Sequence, residues 1–493
     1  MSDLKGLFYP KSVAVVGASE NVFKWGSIIL TNIVDGGFGG KVYPVARGKD
    51  TVYGLKAYDS LKDVPEAVDL VMIATPASTV MGILADCVEM RINNIVVVSS
   101  GFSETGDEGR EFEEKLIAFS ESRGLNVVGP NTMGIANVKH GLYSMFSHIR
   151  LNSGGISIIA QSGNVGNQVM MWAEQQNIGI SKFVGSGNEG VLRCEDYLEY
   201  FHRDEDTSVI LFYVEGVDDG RTFIDVARRT SLEKPIIALK AGRTEIGSRA
   251  AQSHTGALSG SYRVFDGVMR QSGIIQAKTP TELLSLAAAF DSLPLPQGNR
   301  VGVITLGGGW GVITADECEE RGLVLPPLPE DVFTRLDRML PPFWSRGNPI
   351  DLVGQPDVNL FRESIEAVVA SDAFDAVIFL GIIGSFQMAL RFNEASCRLG
   401  QGSFDQLEVF EKTLSEMELA FLDNIIDLME TYKKPIYPVA LVAKPGDASV
   451  HMREGYRHKV IIYKTPEEAV LCLEKQYKYY RYIKRQEEFL CVK

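Results

Sequence analysis

The sequence lacks any uninterrupted apolar run that reaches the ~18 residues needed to span a bilayer. Its opening, Met1-Ser2-Asp3-Leu4-Lys5, has neither the positive start nor the apolar run of a signal peptide. Positive charge is also in deficit, because the formal net charge is −14, which argues against a nucleic-acid partner. The net charge does not exclude anionic ligands, since backbone amides and a few local cations can bind them. We therefore expect a soluble, cytoplasmic protein.

Cysteine is scarce and scattered. The six cysteines form no C-x-x-C pair and no Cys/His cluster at metal-ligand spacing. This pattern predicts free thiols in a reducing compartment and no metal site. The cysteines are Cys87, Cys194, Cys318, Cys397, Cys472 and Cys491.

A repeated β-strand, glycine turn and helix pattern predicts an α/β protein with parallel sheets. At 493 residues we expect about three domains. The predicted division is 1–150, 151–290, a Pro-rich linker at 291–299, and 300–493 with a helical tail. Strands are predicted near residues 12–16, 41–45, 69–74, 94–99, 126–128, 155–159, 209–214, 235–240, 300–305, 376–380 and 436–441.

A further amphipathic helix is predicted where Leu407, Phe410, Leu414, Met417, Phe421 and Leu428 recur at helical spacing. Its apolar stripe suits either packing in the core, which we favour, or binding to a partner.

The first candidate site is the turn Gly17-Ala18-Ser19, which ends a buried strand and leads into a helix. Such a turn aims free amides at a phosphate. Ala18 and Ser19 break the G-x-G-x-x-G fingerprint of NAD sites, and the second strand ends in Arg47 and Lys49 instead of an acid. Two cations favour a ligand with an extra phosphate near its ribose. We favour CoA, which carries a 3′-phosphate there, and the alternative ligand is NADP, with a 2′-phosphate. The residues do not exclude a nucleotide-like fold that binds no ligand.

Other loops at strand ends extend this candidate site, because ligands of open α/β sheets bind at the carboxyl ends of strands. Residues that we predict to contact the same nucleotide-like ligand are Thr75, Pro76, Ser100, Gly101, Phe102 and Asn131.

The second candidate site centres on His254, which lies in a long Gly-, Ser- and Arg-rich loop after a buried strand. A histidine that accepts a phosphoryl group needs a free ring nitrogen, a group that fixes its tautomer, and donors for the phosphate. Glu215 ends a neighbouring strand and is the natural partner to orient the ring. Donors for the phosphate are predicted at Gln161, Ser162, Gly163, Asn164, Ser253, Thr255 and Gly256, the first four at a helix start.

These segments resemble a known family. The stretch from Lys240 to Glu245 that runs into Ser253-His254-Thr255-Gly256-Ala257 closely resembles the phosphohistidine segment of ADP-forming acetyl-CoA synthetases, relatives of succinyl-CoA synthetase. Motifs at 101–104, 129–135, 161–163 and 348–352 also look like those of the family and occur in its order.

The resemblance implies a Rossmann-like CoA-binding domain followed by two flavodoxin-like CoA-ligase domains. It implies that acyl-CoA and phosphate give acyl phosphate and CoA, that His254 is then phosphorylated beside Glu215, and that the phosphoryl group passes to a nucleoside diphosphate. The family handles the nucleotide on an ATP-grasp unit, and no stretch of this sequence resembles one. We therefore expect a separate ATP-grasp subunit that holds ADP or ATP and Mg²⁺, with CoA bound here as a substrate and no tightly bound cofactor. Gly242, Gly247 and Gly256 suit a loop that swings between the two sites.

Two departures from the family pattern bear on the ligand sites. Ala46-Arg47 stands where the family usually has an Asn-Pro pair before the basic residue, and Trp310 stands in a turn where Pro is more common. The residues do not identify the acyl group. Acetate, a branched or aromatic acid, and a dicarboxylate all remain candidate acyl substrates. The competing functions are a CoA-sensing protein of the same fold and an NADP-linked oxidoreductase.

Overall fold

A computed structural model describes residues 4–249, 262–355, 357–401, 404–440 and 449–491. The chain divides into two compact units, residues 1–287 and 288–493, and the helix Pro280–Ser292 crosses the division. Among the described residues, no helix combines the length and apolar character needed to cross a bilayer. Within the same ranges Cys87, Cys194, Cys318 and Cys472 are buried free thiols, and Cys397 is a half-buried one.

The first unit contains strands β1 to β14. In chain order these are Ser12–Val16, Lys41–Val45, Thr51–Val52, Leu55–Lys56, Leu70–Ile73, Asn94–Val97, Asn126–Val128, Gly134–Asn137, Leu142–Met145, Ser153–Ala160, Ile180–Gly185, Val209–Val214, Ile236–Lys240 and Ile275–Ala277. Its α-helices are Lys5–Phe8, Trp25–Asp35, Ala77–Glu89, Asp107–Arg123, Gly163–Gln175, Cys194–Arg203, Gly220–Glu233, Tyr262–Gln271 and the start of Pro280–Ser292.

The first sheet is parallel throughout, in the order β2-β1-β5-β6-β7. Its central strands β1 and β5 are buried along their whole length, as the apolar runs predict. The chain order reverses between β1 and β5, which leaves a crevice at their carboxyl ends.

The second sheet has the order β14-β13-β12-β10-β11-β8-β9. Strands β10 to β14 pair in parallel, whereas the hairpin β8–β9 pairs antiparallel to β11. One hydrophobic core serves both sheets, because Val13 and Met72 of the first share a cluster with Ile159 and Phe212 of the second. The hairpin β8–β9 lies within residues 1–150, which the sequence analysis assigned to the first domain, but it pairs with the second sheet. The predicted domain boundaries stay a prediction.

The second unit contains strands β15 to β20, which are Val301–Thr305, Ile350–Asp351, Ala376–Leu380, Ile436–Val439, Val450–His451 and Val460–Ile461. Strands β16-β15-β17-β18 form a parallel sheet, and β19 pairs antiparallel with β20. Its helices are Gly308–Glu320, Glu330–Asp337, Val358–Ala370, Ser385–Arg398, Phe404–Tyr432 and Pro466–Cys491.

The long helix Phe404–Tyr432 only partly follows the predicted core-packing role. Phe421 and Leu428 are buried, but Met417 is 40% exposed. The acidic face of its second half binds basic side chains, because Asp423 pairs with His451 at 2.8 Å and Glu430 pairs with His458 at 2.8 Å. Burial opposes ionisation of Glu430, but hydrogen bonds from Lys433 and His458 hold its pKa down at about 2.

Candidate functional site

The crevice beside β1 opens into a cleft of about 970 Å³, which we call the first cleft. Gly17 forms its floor, with a φ of +93°, and a Cβ atom there would lie 2.5 Å from the carbonyl oxygen of Ala74. Only glycine allows the two turns to approach so closely. Among the predicted nucleotide contacts, the following line this cleft: Gly17, Ala18, Ser19, Arg47, Lys49, Thr75, Pro76 and Ser100.

Two cations stand at the rim of the first cleft. Arg47 and Lys49 are exposed and flank Gly48, whose amide donates a hydrogen bond to Asp59 at 2.6 Å. That bond fixes the turn which carries both cations. The residues present fit an anionic nucleotide-like ligand such as CoA, since the floor can approach a phosphate closely and the rim supplies positive charge.

Three predicted contacts lie elsewhere. The amides of Gly101 and Phe102 donate to the carboxylate of Glu104, at 2.6 Å and 3.2 Å. Burial opposes ionisation of Glu104, yet hydrogen bonds from Asn188 and the Gly101 amide hold its pKa below the ordinary value. Phe102 itself is buried in the core of the first sheet. An internal carboxylate thus takes the amides that a ligand phosphate would need.

Asn131 lines a second cleft of about 360 Å³, together with Gln161, Ser162, Gly163, Asn164 and Glu215. The helix Gly163–Gln175 begins there, after Ser162 in an extended conformation. Within the described part of the chain, no side chain caps this helix start. Its first amides are therefore donors that an anion in the second cleft could use.

The side chain of Gln161, predicted to donate to a phosphate, is hydrogen-bonded to the backbone of the chain. Its Nε2 donates to the carbonyl of Gly216 at 2.8 Å, and its Oε1 accepts from the amides of Glu215 and Gly216. Gln161 thus fixes the backbone at the end of β12 beside the helix start. The part of Gln161 in binding a phosphate stays a prediction.

Glu215 directly follows β12 and is buried, with Tyr213 donating to its Oε1 at 3.3 Å. Val214 is the register partner of Lys240, the last residue of β13. The segment that follows Lys240 therefore leaves the sheet next to Glu215. His254, Ser253, Thr255 and Gly256 lie outside the described residues.

A second carboxyl group in this cleft was missed by the sequence analysis. Glu189 lines the second cleft, and its Oε1 is buried with no hydrogen-bond partner among the described residues. Burial raises the pKa of Glu189 to about 7. The turn after β11 lies at the same carboxyl edge as the predicted sites, so the strand-end rule could have found it.

Asn188 joins the two sheets at the second cleft. Its Nδ2 lies 2.8 Å from carboxylate oxygens of both Glu104 and Glu113, and its Oδ1 accepts from Asn131 at 3.2 Å. This network fixes the turn that carries Glu189 against the loops of the first sheet.

Three family profiles match the chain in the order of its folded parts. They are a CoA binding domain over residues 11–138, a succinyl-CoA ligase like flavodoxin domain over 153–290, and a ligase-CoA domain over 301–390. The α subunit of acetate–CoA ligase [ADP-forming] II from Pyrococcus furiosus is 38% identical over 379 residues, which cover 77% of this chain and 82% of that subunit. The chain belongs to the ADP-forming acetate–CoA ligase family.

Further members of this acid–thiol ligase family agree with the assignment. The solved structure of acetyl-coenzyme A synthetase 1 from Candidatus Korarchaeum cryptofilum, in complex with phosphate and ADP, has a TM-score of 0.84 and 34% identity, and the match covers 99% of both chains. The acetate–CoA ligase [ADP-forming] of Methanocaldococcus jannaschii is 40% identical over 352 residues, or 71% of this chain and 49% of that protein. The predicted family and the predicted fold class are confirmed.

Proposed function

We propose that this chain is the CoA-binding, phosphohistidine-carrying subunit of an ADP-forming acyl-CoA synthetase, with His254 as the phosphorylated residue. The pairing of Val214 with Lys240 is the observation that carries the proposal. It starts the His254 segment beside Glu215, in a unit whose second cleft also holds the free start of the helix Gly163–Gln175. A carboxylate and anion-binding amides are what a phosphohistidine needs nearby.

The proposed cycle begins with acyl-CoA and inorganic phosphate. A phosphate oxygen attacks the thioester carbon, the C–S bond breaks, and CoA leaves as the thiol with the proton from phosphate. The acyl phosphate then transfers its phosphoryl group to a ring nitrogen of His254, which releases the carboxylic acid. Finally the phosphohistidine phosphorylates ADP. The reverse direction makes acyl-CoA.

The described residues have distinct parts in this cycle. The turn at Gly17 and the cations Arg47 and Lys49 bind the nucleotide end of CoA. The amides at Gly163 and Asn164 hold the phosphate. Glu215 orients the His254 ring and stabilises its charge, while Gln161 keeps the Glu215 backbone in place.

A separate ATP-grasp subunit completes the proposed enzyme and holds ADP or ATP with Mg²⁺. The name of the Pyrococcus furiosus relative, a subunit alpha, supports a second polypeptide. A cytoplasmic location stays a prediction.

The test is phosphoenzyme formation. The purified chain is incubated with labelled phosphate and a panel of acyl-CoAs, and also with an ATP-grasp partner and labelled ATP. We expect acid-labile, base-stable label that His254→Asn abolishes, while CoA binding persists. Label that survives in His254→Asn would contradict the assignment of the histidine. CoA binding with no label in either reaction would indicate the CoA-sensing alternative.

A further inference from the structure

Glu189 combines three unfavourable features in one residue. Its backbone has a φ of +55°, in the left-handed region that residues other than glycine rarely adopt. Its Oε1 is buried and finds no hydrogen-bond partner in the described part of the chain, and burial raises the pKa of the carboxyl to about 7. Strained backbone and displaced pKa values concentrate at ligand sites, where function keeps them although they lower stability.

The turn that carries Glu189 is fastened on both sides of this residue. The amide of Asn188 donates to the carbonyl of Pro130 at 3.0 Å, and the amide of Gly190 donates to the carbonyl of Gly129 at 3.1 Å. These two bonds tie the turn to the first sheet. The strained residue is thus held in place, and its half-buried side chain stays at the wall of the second cleft.

The same turn lies beside the helix start at which we place the phosphate. The amide of Ser186 donates to the carbonyl of Ala160, the last residue of β10, at 2.9 Å. Two residues after Ala160, Ser162 precedes the helix Gly163–Gln175. Glu189 therefore lines the second cleft together with the first residues of that helix. A phosphate bound to the free amides of the helix lies in a cleft whose wall includes this carboxyl.

The charges around the second cleft decide which form of Glu189 could bind a phosphate. The charged side chains among its described lining residues are Glu189, Glu215 and Asp218, all acidic. Lys24 lines the first cleft instead. An ionised Glu189 would repel a phosphate in this acidic surrounding, whereas a neutral carboxyl has an O–H that donates to a phosphate oxygen.

The groups packed around the turn also favour the neutral form. After burial itself, the charge of Glu195 on the helix Cys194–Arg203 raises the pKa of Glu189. His254 lies outside the described residues. The titratable side chains on the surrounding elements are the carboxyls of Glu104, Glu113, Glu195, Glu215 and Asp218 and the buried thiol of Cys194.

We propose that Glu189 is a phosphate-binding residue of the second cleft, which donates the O–H of its neutral carboxyl to the phosphate that the amides of Gly163 and Asn164 hold. The inference rests on the proposed function, which places the phosphate there. Phosphate binding then keeps a proton on Glu189, and the affinity falls as the pH rises and the free site loses that proton.

The test measures the dissociation constant of inorganic phosphate by calorimetry in the complete enzyme with its ATP-grasp partner. All forms carry His254→Asn, which removes both the titration and the phosphorylation of the histidine. Glu189→Gln keeps a donor at the position, and Glu189→Met has a similar length without one. At pH 6 we expect Glu189→Gln to bind phosphate within about threefold of the parent, and Glu189→Met to bind it at least about tenfold more weakly.

The second half of the test follows the pH dependence. Between pH 6 and pH 8 the parent should weaken by about tenfold relative to Glu189→Gln, because its carboxyl ionises at about pH 7 and the amide does not. The ionisation of phosphate itself is the same for both forms and cancels in their ratio. Asp218→Asn is the matched control, because it removes a charge from the same cleft and should change the affinity by about the same factor at both pH values.

The outcomes separate this inference from the proposed function. Equal affinities of Glu189→Gln and Glu189→Met at pH 6, or a ratio of parent to Glu189→Gln that is the same at both pH values, would overturn the role of Glu189. The phosphohistidine cycle would still stand if the enzyme with native His254 forms phosphoenzyme. No phosphate binding in any form, together with no phosphoenzyme, would overturn both. If Glu189→Met does not fold, Glu189→Ala supplies the comparison without a donor.

Discussion

The ammonium group of Lys240 donates a hydrogen bond to the backbone carbonyl of Glu215, 2.6 Å away, and a second one to the carbonyl of Ala241. Burial lowers the pKa of Lys240, and the nearby Glu215 partly offsets this. The buried Lys240 thus holds two backbone positions in place. One is Glu215, which we propose orients the His254 ring, and the other is Ala241, the first residue of the segment that carries His254.

Replacing Lys240 should remove the link between Glu215 and the start of the His254 segment. Lys240→Met leaves two carbonyls without their donor, which destabilises the first unit by about 1–3 kcal/mol and misplaces the start of the His254 segment. We expect phosphoenzyme yield to fall several-fold at temperatures where the variant is fully folded. The yield is measured with labelled phosphate, and the folded fraction by circular dichroism.

Lys234→Met is the matched control for that experiment. Lys234 is also partly buried and donates to two carbonyls, those of Phe201 at 2.9 Å and Asp204 at 2.6 Å, but it precedes β13 and lines neither cleft. It should lose similar stability and keep its phosphoenzyme yield. Equal loss of yield in both variants would mean that Lys240 acts only through stability.

Gly17→Ala tests the floor of the first cleft. A Cβ at this position would lie 2.5 Å from a backbone oxygen, and a φ of +93° is strained for alanine, so the turn must move. We expect CoA affinity, measured by calorimetry, to fall at least about tenfold. Gly37→Ala has a φ of +84° but nothing within 4 Å, so it isolates the backbone strain. Unchanged CoA affinity in Gly17→Ala would place the ligand elsewhere.

Arg47 and Lys49 test which phosphate the rim binds. Changing both to alanine should weaken CoA by about tenfold or more and dephospho-CoA much less, because only CoA carries the 3′-phosphate that we assign to them. Dissociation constants for the two ligands supply the comparison, with the exposed Lys115→Ala as a charge control. If both ligands weaken equally, the cations do not contact the 3′-phosphate.

Glu189 should make the first unit less stable as the pH rises. Its pKa is about 7 in the folded chain, whereas an unfolded glutamate ionises near ~4.3, so the folded state binds the extra proton between these values. The stabilisation is complete below about pH 4 and is lost as the pH rises through 7. Glu189→Gln removes this loss, and the variant should gain up to about 3 kcal/mol over the wild type between pH 4 and pH 8.

The thermal midpoints of wild type and Glu189→Gln at pH 5 and pH 8 test this expectation. The exposed Glu114→Gln should show the same pH dependence as the wild type. A constant difference between Glu189→Gln and the wild type at both pH values would mean that Glu189 ionises normally.

Much of the fold could be predicted because buried parallel strands read as apolar runs. The predicted strands at 41–45, 126–128, 209–214 and 376–380 have the observed bounds. The hairpin β8–β9 could not be predicted in the same way, since Gly134-Ile135-Ala136-Asn137 carries little β propensity by itself. Its four residues are buried only because the second sheet accepts them beside β11.

The site residues divide along a similar line. Strand-end turns identified Gly17, Gly163 and Glu215, because backbone geometry there follows from the sheet. The role of a polar side chain does not follow from the sheet: the Gln161 side chain binds the backbone of Glu215 and Gly216. The amides of Gly101 and Phe102 were predicted for a ligand, but Glu104, three residues further along from Gly101, takes them.

The core shared by the first and second sheets limits where segments of this protein can be exchanged with those of its relatives. An exchange of the CoA-binding region that cut after β7 would leave β8–β9 with a foreign neighbour, and a fragment ending at 150 would expose the apolar faces of β1 and β5 to water. Chimaeras joined at residue 150 should therefore aggregate. For evolution as for design, the first cleft and the second cleft belong to a single module, because the sheets that form them share one core.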